Sequence, residues 1–408
     1  MPRPPSRTSL REFIGVEALG ALVLLGAAVA ALLWANLGEP GHYDAFWHRP
    51  LSAAIGSAGI TLDLRDWVND LLMALFFFVV GLEIKRELVD GELRDPRRAA
   101  LPLIAALGGM VVPALLYLAL NPGGPEARGW GIPMATDIAF AVGVLALVGR
   151  GLPAGVRVFL LSLAIVDDLG AIAAIAIFYT AAIDLPALGL GVGAIAAFAA
   201  AWRRPLTRQG PLLIATAAMA WLGLHGSGVH ATIAGVALGL AVPAGRRPDP
   251  SAAERLTHLL HPVTGFVVIP LFALANAGIV IPGGSLATVA GHPVTAGVLL
   301  GLVVGKPLGI TLACYAAVRA GVARLPAGVG WGPLGGTAAV AGIGFTVSLF
   351  IGQLAFSDAA LRDAAKIGVL GGSLASAAVG AVVLAGVSRR SGEQGSPDTA
   401  FHGAEPPS

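Results

Sequence analysis

The amino-acid sequence predicts an all-α polytopic membrane protein with about twelve transmembrane helices. Hydrophobic residues make up 56% of the 408 residues, charged residues make up only 12%, and the mean hydropathy is +0.80. A soluble domain typically carries about 25% charged residues, so this composition excludes a soluble fold. The net charge of +2 is too small to indicate nucleic-acid binding. The single cysteine, Cys314, excludes disulfides within the chain and cysteine-based metal sites.

The apolar segments are long enough to cross the ~30 Å hydrocarbon core as helices. A polar start at residues 1–12, expected to be cytoplasmic, precedes the first span from Phe13 to Leu37. The polar stretch that follows, Gly38 to Leu64, contains an alternating segment that predicts a short hairpin outside the membrane. Further spans are expected at about 66–84, 99–120, 130–149, 157–180, 183–202, 211–224, 228–243, 262–281, 293–318, 333–356 and 365–387. The membrane domain thus covers 13–387, and the polar tail 388–408 is expected to be disordered.

The distribution of Lys and Arg supports this count of spans. Twelve spans place both ends of the chain on one side, and twenty of the 26 Lys and Arg residues fall in the segments on that side. Five fall on the other side, and Lys306 alone lies inside a span. Because cytoplasmic loops are rich in Lys and Arg, both ends are expected to be cytoplasmic.

Two adjacent acids, Asp167 and Asp168, lie near the middle of an apolar segment that begins at Arg157. A helix rises 1.5 Å per residue, so Asp168 lies about 16 Å from Arg157, roughly half the thickness of the hydrocarbon core. A carboxylate at that depth costs about 2.5–3.5 kcal/mol on insertion scales. Intramembrane acids that are retained at such a cost indicate a cation or proton site.

Two other spans place ionisable groups at nearly the same depth. Lys306 lies thirteen residues before Arg319, and Asp137 lies thirteen residues before Arg150, which is about 20 Å of helix in each case. A buried lysine is expected to pair with a carboxylate, and either of the adjacent acids could be its partner, since rotation about the helix axis is set by packing.

Interruptions of the helical backbone are also expected at the depth of these ionisable groups. Pro133 and the Thr136–Asp137 pair interrupt one span, and the glycines of Gly335-Gly336 and Gly342-Ile-Gly344 interrupt another. Such interruptions in two corresponding spans indicate inverted repeats with two crossed, broken helices, which is a transporter architecture.

Several long blocks resemble the NhaA-type sodium/proton antiporters of bacteria, and the resemblance runs from about Arg11 to Val387. The blocks are Val80-Gly-Leu-Glu-Ile-Lys-Arg-Glu-Leu88, Ala135-Thr-Asp-Ile-Ala-Phe140, Asp167-Asp-Leu-Gly-Ala-Ile172, Ser227-Gly-Val-His-Ala-Thr232, Gly305-Lys-Pro-Leu-Gly-Ile310 and Gly342-Ile-Gly-Phe-Thr-Val-Ser348. This family is itself a known example of transporters built from inverted repeats.

The resemblance implies a role for each polar residue of the spans. Asp168 is similar to the main cation ligand, so that Asp168 and Asp167 would hold only transported sodium. Asp167 is similar to the proton-carrying acid that pairs with Lys306. Asp137 and Thr136 match the residues at the crossing, where they compensate the partial charges of helix ends.

The resemblance also implies residues outside the transport site. Asp70 matches an acid of the outer funnel, and a homodimer would form through the hairpin after the first span. A cytoplasmic-mouth cluster linked to pH control would contain Glu83, Arg86, Glu87, Arg255 and His258. Two residues depart from the family pattern near this cluster: Thr257 stands where well-known members have a glutamate, and Glu254 where they have a lysine.

The expected function is therefore secondary transport, not enzymatic catalysis, without a cofactor. Sodium, and lithium with it, would leave the cytoplasm in exchange for external protons, electrogenically and under pH control, across the bacterial inner membrane. The alternative is a proton-coupled symporter of a small organic solute, which should show solute-binding side chains at the midplane. An intramembrane aspartyl protease fits less well, because its Gly-x-Gly-Asp setting is absent from the sequence.

Overall fold

A computed structural model of the chain describes residues 7–55, 58–149, 151–180, 182–203, 210–245, 251–280 and 291–394, and most of them are helical. The helices are α1 (Arg7–Leu37), α2 (His42–Trp47), α3 (Leu64–Asp90), α4 (Pro96–Leu120), α5 (Ile138–Val148), α6 (Ala154–Phe178), α7 (Leu185–Ala201), α8 (Gly210–Gly226), α9 (Thr232–Ala241), α10 (Ala252–Asn276), α11 (Pro293–Arg319), α12 (Trp331–Val340), α13 (Phe345–Ala355) and α14 (Ala359–Gln394). A 3-10 helix, Pro125–Met134, precedes α5.

Seven of the described helices are long and apolar enough to cross a membrane, and two bent pairs bring the number to nine. The bent pairs are the 3-10 helix with α5, at 42°, and α12 with α13, at 46°. The shorter apolar helices α7, α8 and α9 have 10 to 17 residues each. An all-α polytopic membrane protein is thus confirmed. The count of twelve requires the three shorter helices to cross as well, and it stays a prediction.

The first and last helices extend beyond the predicted bounds of the membrane domain, and those bounds, 13–387, stay a prediction. The helix α1 begins at Arg7 instead of Phe13, and α14 continues to Gln394 instead of ending at 387. A helix nucleated by an apolar stretch propagates through polar residues until a breaker stops it, and no proline occurs in α14. The disorder predicted for the tail is therefore wrong for residues 388–394. Residues 1–6 and 395–408 lie outside the described residues.

The predicted hairpin is confirmed. Strand β1 (Pro50–Ile55) pairs antiparallel with β2 (Ala58–Asp63), and Leu51 lies opposite Leu62 in the register. The hydroxyl groups of Ser52 and Thr61 form a cross-strand hydrogen bond of 2.8 Å. Trp67, in the first turns of α3, donates its indole N–H to the Leu51 carbonyl at 2.9 Å, which ties the hairpin to the membrane domain.

Three stretches of π-helix were not predicted: Trp67–Leu72 in α3 and two that lie just before a proline. Thr264–Val268 precedes Pro270 in α10, and Gly301–Gly305 precedes Pro307 in α11. A proline has no N–H to continue the helix, and its ring displaces the carbonyl of the preceding turn, so the turn widens. The wide turn in α11 ends directly at Lys306.

Each broken helix lies between two unbroken ones in the chain. The first follows α4 and precedes α6, and the second follows α11 and precedes α14. Under the predicted count, α4 is the third span and α11 the tenth, so the second group would enter the membrane from the opposite side. This order is the one expected for inverted repeats.

Close packing of α4 on α11 brings Lys306 into the interior. The two helices cross at Gly108 and Gly309, where a Cβ atom on either residue would overlap the carbonyl group of the other. A Cβ atom at Gly305 would lie only 2.8 Å from the Cα atom of Pro113. Small residues allow such close approach of helices in lipid. As a result, Lys306 is only 1% exposed.

Candidate functional site

Asp137 caps both half-helices at the crossing. It is the residue before α5, and its Oδ1 accepts the backbone N–H of Phe140 at 3.0 Å. Its Oδ2 accepts the backbone N–H of Thr346, at the start of α13, at 3.1 Å and the Thr346 hydroxyl at 2.8 Å. Helix amino-terminal ends carry partial positive charge, so a carboxylate between two of them is stabilised by both.

Further bonds hold the two broken helices together at this level. The Asp137 N–H donates to the Ile343 carbonyl at 2.6 Å, and the Thr136 hydroxyl donates to the Ala341 carbonyl at 2.8 Å. The Ser348 hydroxyl donates to the Ile132 carbonyl at 2.6 Å. The unwound backbone of each break is thus satisfied by the other, which a membrane interior requires.

Lys306 pairs with Asp167 and not with Asp168. Its Nζ lies 2.6 Å from Asp167 Oδ2, and both side chains are 1% exposed. The same ammonium also donates to the carbonyl of Met134, the last residue of the 3-10 half-helix. A buried lysine therefore neutralises one carboxylate and the carboxy-terminal end of one half-helix together.

Asp168 does not pair with Lys306, and it lines a cavity. The residue is 2% exposed, and its Oδ1 has no hydrogen-bond partner among the described residues. The cavity, of about 210 Å³, is lined by Asp168, Asp137, Thr136 and Thr346 at its inner end. Adjacent residues on a helix point about 100° apart, which explains why the two acids meet different surroundings.

The other end of the cavity reaches the predicted mouth. Glu83, Arg86 and Glu87, from the last turns of α3, line it together with His261 of α10. The carboxylate of Glu87 accepts the backbone N–H of Glu92 at 2.8 Å, which fixes the turn after α3. One cavity thus connects the polar residues at the end of α3 with the carboxylates at the crossing.

Two members of the predicted mouth cluster lie apart from this cavity. Arg255 and His258, on the first turns of α10, are exposed and do not line the cavity, whereas His261 does. The departures from the family pattern have local uses. Glu254 closes a capping box, in which its carboxylate accepts the Ser251 N–H at 2.8 Å. The Thr257 hydroxyl donates to the Ala253 carbonyl within the helix at 2.9 Å.

Asp70 lies far from the cavity, in a π-helical turn near the start of α3. Its carboxylate Oδ2 is 3.2 Å from Nδ1 of His225, the residue before the end of α8. The indole of Trp221 donates to the Asp70 carbonyl at 3.2 Å and stacks on the His225 ring. This half-exposed cluster faces the side on which the hairpin lies.

Sequence reasoning placed Asp137, Asp167, Asp168 and Lys306 together but missed other polar residues at the crossing. Thr346 and Ser348 belong to the glycine block of the second break, and the pattern of glycines predicts no role for their hydroxyls. The sequence did contain a signal for these two residues, because hydroxyl side chains that follow a glycine break can bond the backbone groups that the break leaves without partners. Ser373, on α14, carried no such signal.

The charges at the crossing do not balance. Asp137, Asp167 and Asp168 are each at most 3% exposed, and Lys306 is the one buried ammonium that the described residues place among them. With all four groups ionised, their side chains would carry a net charge of −2, which the two helix ends at Asp137 offset in part. A buried charge without full compensation is costly, so a proton or a cation would stabilise this group of side chains.

Comparison with known proteins gives the family. The family model for "Na+/H+ antiporter 1" matches residues 11–384. A Na+/H+ antiporter NhaA of Acidovorax sp. (strain JS42) is 52% identical over 87% of this chain and 86% of its own. NhaA 3 of Frankia alni is 47% identical, over 93% and 89%. NhaA of Citrobacter koseri is 46% identical, over 91% and 96%. A match across so much of each chain means that this multi-pass membrane protein belongs to the Na+/H+ antiporter 1 family.

Proposed function

We propose that this chain extrudes sodium, and also lithium, from the cytoplasm in exchange for external protons. The observation that carries the proposal is the excess of buried carboxylates over ammonium groups at the crossing, with Asp168 among the residues that line the cavity. Sodium and lithium are hard cations that favour oxygen ligands. The relatives' names describe the same exchange. Symport of an organic solute has no support among these relatives and is set aside.

In the proposed cycle, sodium and protons compete for one site. Asp168, with Asp167 beside it, binds sodium only when the acids are ionised. Protons that return to the acids after sodium has left restore charge balance, and Asp167 is then free to part from Lys306. The adjacent acids and the lysine titrate as one coupled unit. If more than one proton leaves for each sodium bound, the cycle moves net charge and responds to the membrane potential, at about 2.3 kcal/mol per charge per 100 mV.

The proposed orientation places both ends of the chain in the cytoplasm of a bacterium and the domain 13–387 in its inner membrane. The bias of Lys and Arg supports it. In this orientation the cavity opens to the cytoplasm between the last turns of α3 and the first half of α10, and the hairpin and Asp70 face outward. Asp70 would then lie at the external proton entrance.

Proton flux in everted membrane vesicles tests the function. Vesicles are acidified by respiration and then receive sodium, lithium or potassium at stepped pH values. Sodium and lithium should dissipate the pH gradient, because each enters the vesicle only as protons leave. Vesicles from cells without the protein are the control. If no alkali cation moves protons at any pH, the exchange is excluded for this chain.

We also propose that the mouth controls the response to pH. Glu83, Arg86 and Glu87 line the path that sodium must take, and Arg255 and His258 lie on the neighbouring turns of α10. Protonation of acids in this path lowers its attraction for cations.

We further propose a homodimer through the hairpin. A two-stranded sheet is marginally stable by itself, and each strand of this one presents an edge that could pair with another chain. In the described residues the hairpin packs on its own chain through the bond of Trp67 to Leu51. A second copy of the chain would pair with an outer edge of this two-stranded sheet.

A shortened hairpin should abolish the dimer. Leu51 and Leu62 are directly opposite each other, so Ser52–Thr61 can be replaced by Asn-Gly, which closes a two-residue turn. Native mass spectrometry in mild detergent should give a dimer for the parent and a monomer for this variant. The double substitution Ser52→Ala, Thr61→Ala removes only the cross-strand hydroxyl bond and should stay dimeric. A dimer that survives the shortening would place the interface elsewhere.

A further inference from the structure

The second break lacks a cap of its own. Gly344 occupies the position before α13 and has no side chain, whereas Asp137 occupies the equivalent position before α5. The first N–H groups of a helix have no partner within it. Because this helix end is buried, the N–H groups of Gly344, Phe345 and Thr346 must find acceptors on other elements.

Two side chains from different elements supply these acceptors. Asp137 accepts the Thr346 N–H, as described above. Ser373, on α14, accepts the other two with its Oγ, from Gly344 at 3.3 Å and from Phe345 at 3.2 Å. Ser373 is 6% exposed, so no water competes for its hydroxyl from outside. Asp137 and Ser373 thus together accept the first N–H groups of α13.

We propose that Ser373 is a positioning residue for the cation site, which acts by holding the start of α13 so that Thr346 reaches Asp137. Without its hydroxyl, the N–H groups of Gly344 and Phe345 would be buried without an acceptor. The carboxylate of Asp137, which already accepts the Thr346 N–H, is a strong acceptor at the same helix end, and the helix end would turn toward it. Thr346 would then compete with these N–H groups for the oxygens beside the cavity. The proposal rests on the proposed function, because the affected quantity is cation affinity.

A neighbouring serine on the same helix provides the matched control. Ser376 lies one turn beyond Ser373, is 1% exposed, and its Oγ has no partner among the described residues. A hydroxyl there contributes packing and no cap. Ser376→Ala therefore removes a buried hydroxyl from α14 that accepts none of the first N–H groups of α13.

The test compares Ser373→Ala, Ser373→Thr and Ser376→Ala in proteoliposomes. Loss of a cap of about 1 kcal/mol should raise the KM for sodium about fivefold in Ser373→Ala, with the maximal rate nearly unchanged. Ser373→Thr keeps the acceptor and should restore the parental KM, and Ser376→Ala should not change it. Hydrogen–deuterium exchange in detergent should also speed up at residues 344–346 in Ser373→Ala alone.

The exchange measurement separates the failure of this proposal from failure of the function. If the parent exchanges no sodium, the proposed function fails, while amide exchange still reports whether Ser373 holds the helix end. Equal KM values and equal amide exchange in the two alanine variants would overturn the positioning role. If Ser373→Ala does not assemble, Ser373→Cys, with a weaker acceptor, replaces it, and a parental KM in that variant would overturn the role as well.

Discussion

Asp168→Asn should abolish sodium-driven proton movement in everted vesicles. Asparagine keeps the shape of the side chain but removes the charge that balances sodium, at an oxygen that no described residue engages. Charged contacts of this kind contribute up to about 3 kcal/mol, so sodium affinity should fall by up to ~150-fold. The measurement is the fraction of the pH gradient dissipated across a range of sodium concentrations.

The control for this substitution is Asp184→Asn. Asp184 is exposed and caps α7, where its Oδ1 accepts the Ala187 N–H at 2.8 Å, and asparagine caps a helix equally well. The same chemical change there should leave transport at the parental level. Sodium-dependent flux that persists in Asp168→Asn would mean that another oxygen set carries the cation.

Lys306→Met should destabilise the protein strongly. Methionine resembles lysine in length and flexibility but leaves Asp167 buried with no cation and the Met134 carbonyl without its donor. Breaking a buried ion pair by removing one partner typically costs about 3–5 kcal/mol, so the thermal midpoint in detergent should fall clearly. Adding Asp167→Asn should recover much of the loss, because the neutral pair has no uncompensated charge.

Lys366→Met supplies the comparison for that experiment. Lys366, on α14, is also buried, but its partner Asp363 has a side chain that is 39% exposed. Water can therefore solvate Asp363 once the lysine is gone, and the loss of stability should be smaller. If Lys306→Met melts at the parental temperature, the pair with Asp167 is not ionised in the folded protein.

The charged residues at the crossing could be predicted from the sequence, because the depth of each one depends only on its own helix. A carboxylate or an ammonium inside an apolar segment is costly wherever the helix faces, so Asp137, Asp168 and Lys306 were visible from depth alone. The choice of Asp167 as the partner of Lys306 was not, since it depends on how α6 is rotated against α11. The spans could be predicted as well, because the length of an apolar segment, like the depth of a charged residue within it, is a property of a single helix.

What the sequence did not reveal depends on contacts between distant elements. Ser373 looks like any small residue of a packed helix, and its role exists only because Gly344 is adjacent to it. The exclusion of Arg255 and His258 from the cavity follows from the rotation of α10, which turns His261 inward instead. The π-helical turn before Lys306 could have been inferred from Pro307, but the residues at which this turn begins and ends could not.

The cap formed by Asp137 has an evolutionary consequence. Two half-helices that diverged freely would each keep a residue to close their own end, but here α13 has a glycine at that position and depends on Asp137. Any substitution of Asp137 therefore alters both halves in one step, and no single compensating change can restore them. We therefore expect tolerated substitutions at this depth to be those that keep one acid, Thr346 and the short turn before each half-helix.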